Sequence, residues 1–213
     1  MRLNVVILSL AILLFGCSEE NRTVPGVDNT TEVKHPVEQP TNESELASFF
    51  PPDGSTASFQ GEGNEFASFT LHTTYIDAHH IAQVEDNGGV TLLKVYRISD
   101  LAIELVYKEA VNAKPSLPTA QEAATFPVIE TILQKPLKVG NSFNGWTIQS
   151  TTASITTGTT MYHDVIQLTR SEDTMTTTKY FARSIGLIRI EDTMVTTTNK
   201  EPFVITSTLQ KIE

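Results

Sequence analysis

A two-residue period constrains this chain more than any other feature. Leu101–Glu109 sets Leu101, Ile103, Leu105 and Tyr107 against Ala102, Glu104 and Lys108. Because successive strand residues point to opposite faces, such a segment buries one side and leaves the other wet. Related β-branched, alternating stretches recur at Ser55–Gly61, Glu65–Ile76, His79–Glu85, Val90–Ser99, Val128–Leu133, Trp146–Ile155, Met161–Arg170, Thr174–Arg183, Leu187–Thr197 and Phe203–Ile212. Turn formers separate them, and the clearest is Asp86-Asn87-Gly88-Gly89, whose Asn-Gly pair supplies the positive φ of a tight hairpin. One helix start is legible, the capping-box spacing of Thr119-Ala120-Gln121-Glu122, and Pro127 limits that helix to about two turns. The expected fold is all-β: a single domain of about ten antiparallel strands over 48–213, a strongly curved sheet or half-closed barrel with at most one short helix.

The N-terminus obeys a different rule. Arg2 is followed by an apolar run from Val5 to Phe15 and then Gly16-Cys17, the charged, apolar and small-residue order of an export signal. A run of about eleven residues falls short of the roughly 20 that a permanent membrane-spanning helix needs, so cleavage is expected. Leu14-Phe15-Gly16-Cys17 resembles the lipobox of bacterial lipoproteins. That resemblance implies a signal peptide over 1–16, a diacylglycerol on the sulfur of Cys17, and residence at the cell membrane on its extracytoplasmic face. An ordinary secretory signal with a chance cysteine is the alternative. Cys17 is the single cysteine, so no disulfide within one molecule is available to the exported domain.

Between the cysteine and the domain, residues 17–47 are rich in Glu, Asn, Thr, Pro and Ser, with no hydrophobic period. Such a stretch cannot offset the entropy of ordering, and a disordered tether is expected. Asp and Glu number 25 against 15 Lys and Arg, a net charge of −10. That balance disfavours nucleic acid as a partner and keeps the domain off anionic lipid headgroups.

Candidate chemistry is sparse. Glu62, Asn64 and Glu65 bracket a Gly-bearing turn and form a possible ligand site, as calcium ligands or an acid/base pair, with a solvated hairpin tip as the plainer reading. His79 and His80 are adjacent, so a strand points them to opposite faces; with His72 and His163 they make no metal motif, and no metal or cofactor is expected. No Gly-x-Ser-x-Gly elbow is present and no catalytic residue is assigned. The segment Glu172-Asp173-Thr174-Met175-Thr176-Thr177-Thr178-Lys179 returns as Glu191-Asp192-Thr193-Met194-Val195-Thr196-Thr197-Thr198, which suggests two threonine-rich strands lying close together in the sheet.

Three segments are similar to elements of uncharacterised lipoproteins of spore-forming Gram-positive bacteria. They are Phe59–Phe69 with the preceding Phe49-Phe50-Pro51, Ile132–Gly140 with Trp146 after it, and Tyr180–Ile188. The shared features are structural and bring no catalytic residue with them. Tyr180 and Ala182 are expected on one face with Phe181 on the other, and Gly186 at a tight reversal. Ser184 stands where that family often has Gly, so the turn there is expected to differ in detail. The function expected on these grounds is a membrane-anchored, non-enzymatic binding or accessory domain with a hydrophobic ligand or an envelope protein as partner. A structural or assembly protein of the envelope or spore coat is the alternative, with a hydrolase with an unrecognised site ranked third.

Overall fold

The computed structural model describes residues 45–112, 114–195 and 201–213; Cys17, the leader and most of the tether lie outside them. A single 3-10 turn at Ala47–Phe49 leads into twelve strands. They are β1 Thr56–Glu62, β2 Phe69–Tyr75, β3 His80–Asp86, β4 Thr91–Ile98, β5 Ala102–Val111, β6 Glu130–Gln134, β7 Ser142–Phe143, β8 Trp146–Thr157, β9 Thr160–Glu172, β10 Met175–Ala182, β11 Gly186–Met194 and β12 Phe203–Ile212. The described part of the chain is thus all-β, with one more strand than the alternating segments mark out. The addition is β7, only two residues long and too short to carry a pattern.

The strands form one antiparallel sheet in the order β6-β5-β4-β3-β2-β1-β12-β11-β10-β9-β8-β7. Every strand pairs with its neighbour in sequence except β6 with β7, and the meander is joined in its middle by the first strand pairing with the last, Ala57 opposite Ile212 and Glu62 opposite Thr206. Curvature is a consequence of the connections. Laid flat, twelve strands would span roughly 50 Å from edge to edge. Residues 135–141 must nevertheless join those two edges, and so short a segment reaches roughly 27 Å at most. The sheet therefore curls into a nearly closed barrel. Across the seam, the Asn141 amide donates to the Gln134 carbonyl at 3.1 Å and the Trp146 indole donates to Glu130 at 2.9 Å.

Local chemistry fixes the turns. At 87–90 the Asn87 side chain accepts from the N–H groups of Gly89 and Val90, and Gly88 takes φ +80°. The strand expected from Glu65 starts at Phe69 instead. Residues 64–68 fold back because Asn64 Oδ1 accepts the Phe66 N–H at 2.8 Å and Ser68 Oγ accepts the Gly61 N–H at 2.8 Å. A Cβ at Gly61 would sit 2.3 Å from the Ala67 backbone, so no other residue fits this close approach. The capping box forms as expected, Glu122 N–H to Thr119 Oγ1 and Thr119 N–H to Glu122 Oε2, but the helix α1 is one turn, Ala120–Ala123. Phe126 then stacks on Tyr107 at 5.1 Å and draws the chain back onto the sheet.

Met175–Thr178 of the first repeat, on β10, pair with Glu191–Met194, the start of the second, on β11, with Met175 opposite Met194 and Thr176 opposite Thr193; Thr196, Thr197 and Thr198 of the second lie outside the described residues. Phe181 enters one hydrophobic cluster while Tyr180 and Ala182 enter another, as alternation requires. At the β10–β11 turn Gly186 has φ +82° and Ser184 has φ +61°, so Ser184 occupies a left-handed position that Gly takes at no steric cost.

The folded part begins earlier than residue 48. Leu46 is fully buried, and Leu46, Ala47, Phe49 and Phe50 all join the main core with Ile81, Ile103, Leu133 and Trp146. This N-terminal segment lies inward of the barrel wall like a plug, and polar contacts hold it at both ends. Glu45 pairs with Arg183 at 2.7 Å and Lys135 at 3.0 Å, the Ser48 carbonyl accepts the Ser184 N–H, and the Pro51 carbonyl accepts the Tyr75 hydroxyl. The hydrogen bond from Arg183, with that from Lys135, holds the Glu45 carboxyl below its ordinary value. Composition hides this boundary, because one leucine and one alanine do not lift the tether's polar average.

Two stability outcomes are expected in urea unfolding. Leu46→Ala lowers the unfolding free energy by about 2–4 kcal/mol, the cost of a cavity at a fully buried leucine. Ser184→Gly raises it by about 0.5–1 kcal/mol, the relief of left-handed strain less the added chain entropy.

Candidate functional site

The barrel encloses a cavity of about 90 Å³. Its wall draws on β3 and β4 from one half of the sheet, β10 and β11 from the other, and Phe49 and Phe50 of the plug, so only the curl of the sheet brings these residues together. Two-residue alternation decides which side chains face it: Gln83 and Glu85 on β3, Lys94 and Tyr96 on β4, Lys179 and Phe181 on β10. Ile103, Leu187 and Ile190 complete an apolar surround.

Most of the polar groups have internal partners. Lys94 pairs with Glu85, and Gln83 Nε2 donates to Thr73 Oγ1 at 3.1 Å. Behind Lys179, Trp146 is almost completely buried, with the Arg170 guanidinium and the Lys179 ammonium each 4.7 Å from the ring centroid. Glu130 Oε1 accepts both from the Trp146 indole and from Arg170, each at 2.9 Å. Asp192 accepts from the Thr177 hydroxyl. The two carboxylates that act on Lys179 electrostatically are thus already engaged by other donors.

Two donors remain. Lys179 makes no hydrogen bond or ion pair with any described residue, and its ammonium lies over the face of Trp146. Burial pulls its ammonium pKa below the ordinary 10.5; Glu130 and Asp192 oppose that shift, while Lys94 and Arg170 add to it. The Tyr96 hydroxyl likewise has no described partner, although its ring packs on Phe50 at 5.3 Å. Burial drives the Tyr96 phenol far above its ordinary range, helped by the charges of Glu85 and Glu130, so it stays a neutral donor. Lys179 and Tyr96 are half-buried, and even a partly desolvated ammonium without a counter-ion costs stability, so such groups concentrate where they act on something.

The residues singled out by the sequence lie elsewhere. Glu62, Asn64 and Glu65 are exposed and do not line the cavity; Asn64 caps its own turn. His80 is buried with Nδ1 on Asp77 at 3.0 Å, whereas His79 is exposed, His72 bonds to Thr56, and His163 to Ser154. No cluster of three or more His, Cys, Asp or Glu able to hold a metal occurs among the described residues. Lys179 ends the first threonine-rich repeat, but neither it nor Tyr96 belongs to a motif with known chemistry. Their one trace in the sequence is phase: Lys179 falls two residues before Phe181, hence on the same side of β10.

Neither a protein family, nor a curated protein, nor a solved structure matches this chain.

Lys179→Met tests the cost of the unpaired charge. Because the folded-state pKa is lowered, the unfolded chain holds this proton more tightly, and stability rises as pH climbs from that lowered value towards 10.5. The methionine variant is expected to be more stable at neutral pH, by about 1 kcal/mol or more, and to lose this alkaline rise. Urea unfolding at several pH values measures both; a less stable variant would mean that the stack on Trp146 outweighs the desolvation.

Proposed function

We propose that this protein is a membrane-anchored extracytoplasmic lipoprotein whose barrel is a non-enzymatic binding domain. In this reading the chain is exported by residues 1–16, anchored through a diacylglycerol on Cys17, and holds a small ligand within the sheet. Support for the anchor comes from the sequence: a short apolar leader, a lone cysteine directly after it, and a polar stretch before the first buried residue. A diacylglycerol supplies two chains, enough for firm anchoring where one chain gives only marginal binding. Acidic balance favours a domain that stands away from the lipid surface.

The observation that carries the binding reading is the pair of unused donors, Lys179 and Tyr96, at a partly open and mostly apolar cavity. Ligand sites commonly combine apolar walls with a few polar groups placed to fix orientation. An interior serving stability alone would gain from an apolar residue at position 179.

Two measurements test this reading. Cys17→Ser is expected to release the protein from the membrane fraction or to leave it as an unprocessed precursor; mature-size protein still in that fraction would defeat the anchor. Native mass spectrometry of protein purified from its own cells is expected to show a bound small molecule. A ligand-free mass would favour the structural or assembly role instead.

A further inference from the structure

The chemistry of the cavity narrows what it can hold, given that it is a binding site. The unused polar groups established at its wall are both donors, one cationic and one neutral, and a carboxylate offers two acceptor oxygens with a single negative charge. Lys94 is already neutralised by Glu85, so Lys179 is the one cation of the wall left without a carboxylate partner among the described residues. A phosphate or other dianion would bring more charge than this wall balances, with Glu85 adding to the repulsion. Size limits the rest of the ligand. A void of about 150 Å³ accommodates the six carbons of benzene, so about 90 Å³ suits a body of roughly four non-hydrogen atoms. Phe49 and Phe50 of the plug, with Leu187, supply the apolar contacts for its other end.

We propose that the cavity binds a short-chain monocarboxylate, its carboxylate accepting hydrogen bonds from Lys179 Nζ and Tyr96 Oη and its alkyl end lying against Phe49, Phe50 and Leu187. This assignment rests on the binding role proposed for the barrel. Binding supplies the missing counter-charge to Lys179 through a charge-assisted hydrogen bond, roughly twice as strong as a neutral one. The plug determines chain length, because its two phenylalanines occupy the space a longer alkyl chain would need.

The test is calorimetric titration of the purified full-length protein with acetate, butyrate and octanoate, alongside acetamide and inorganic phosphate. Acetate is expected to bind saturably and at least about tenfold more tightly than neutral acetamide, the worth of a hydrogen bond to a charged group. Phosphate and octanoate are expected to bind more weakly than acetate. Lys179→Met is expected to weaken acetate about tenfold or more, and Tyr96→Phe by a smaller factor, while circular dichroism shows both variants folded. Should Lys179→Met prove unfolded, Lys179→Gln replaces it. Equal affinity for acetate and acetamide, no saturable binding of any carboxylate, or full acetate affinity without the Lys179 ammonium would each overturn the proposal. A neutral or dianionic ligand found by native mass spectrometry would also overturn it and leave the binding role standing.

Discussion

A nearly closed sheet of twelve strands surrounds more space than its own wall fills. Eight strands give an interior that inward side chains just occupy, and the diameter grows with each added strand. This barrel meets the surplus by feeding in its own N-terminal segment. Leu46, Phe49 and Phe50 share one cluster with Ile81, Ile103, Leu133 and Trp146, residues that come from both halves of the sheet. Glu45, Ser48 and Pro51 tie the same segment to Arg183, Lys135, Ser184 and Tyr75. Without the insert the wall would have to collapse or admit water, and the space that the insert leaves unfilled is the cavity beside Lys179.

The seam concentrates the charge. Where β6 and β7 fail to pair, main-chain bonding gives way to side chains, and Glu130 takes on both the Trp146 indole and Arg170. Trp146 lies between the seam and the cavity, in contact with a cation that has a carboxylate and with one that does not. Closure of the barrel and the unpaired charge of Lys179 are therefore linked: the carboxylate that could have neutralised the lysine is used to hold the two edges together.

Much of the architecture is legible in the sequence because a two-residue period survives averaging. The hairpin at Asn87-Gly88, the capping box at Thr119, the opposed faces of Phe181 and Tyr180, and the pairing of Met175–Thr178 with Glu191–Met194 all come from local rules. The features that the period does not reveal depend on distant partners. Strand β7 exists because Trp146 and Thr147 offer it an edge, and the turn at 64–68 forms because Gly61 allows Ala67 to approach. Leu46 looks like part of a tether until a barrel is there to receive it. The cavity is the extreme case, since Lys179 and Tyr96 lie 83 positions apart and neither is unusual in its own strand.

The pairing of β1 with β12 sets the order in which this molecule can be completed. Ala57 and Ile212 stand side by side although some 155 residues separate them along the chain. Ten of the eleven junctions in the sheet join consecutive strands and can zip locally, but this one waits for the C-terminal strand. Its closure carries the loop entropy of nearly the whole domain, the kind of non-local contact that slows β proteins. A ribosome that has yet to deliver β12 leaves two separate curls with open edges, and only the final segment turns them into one ring.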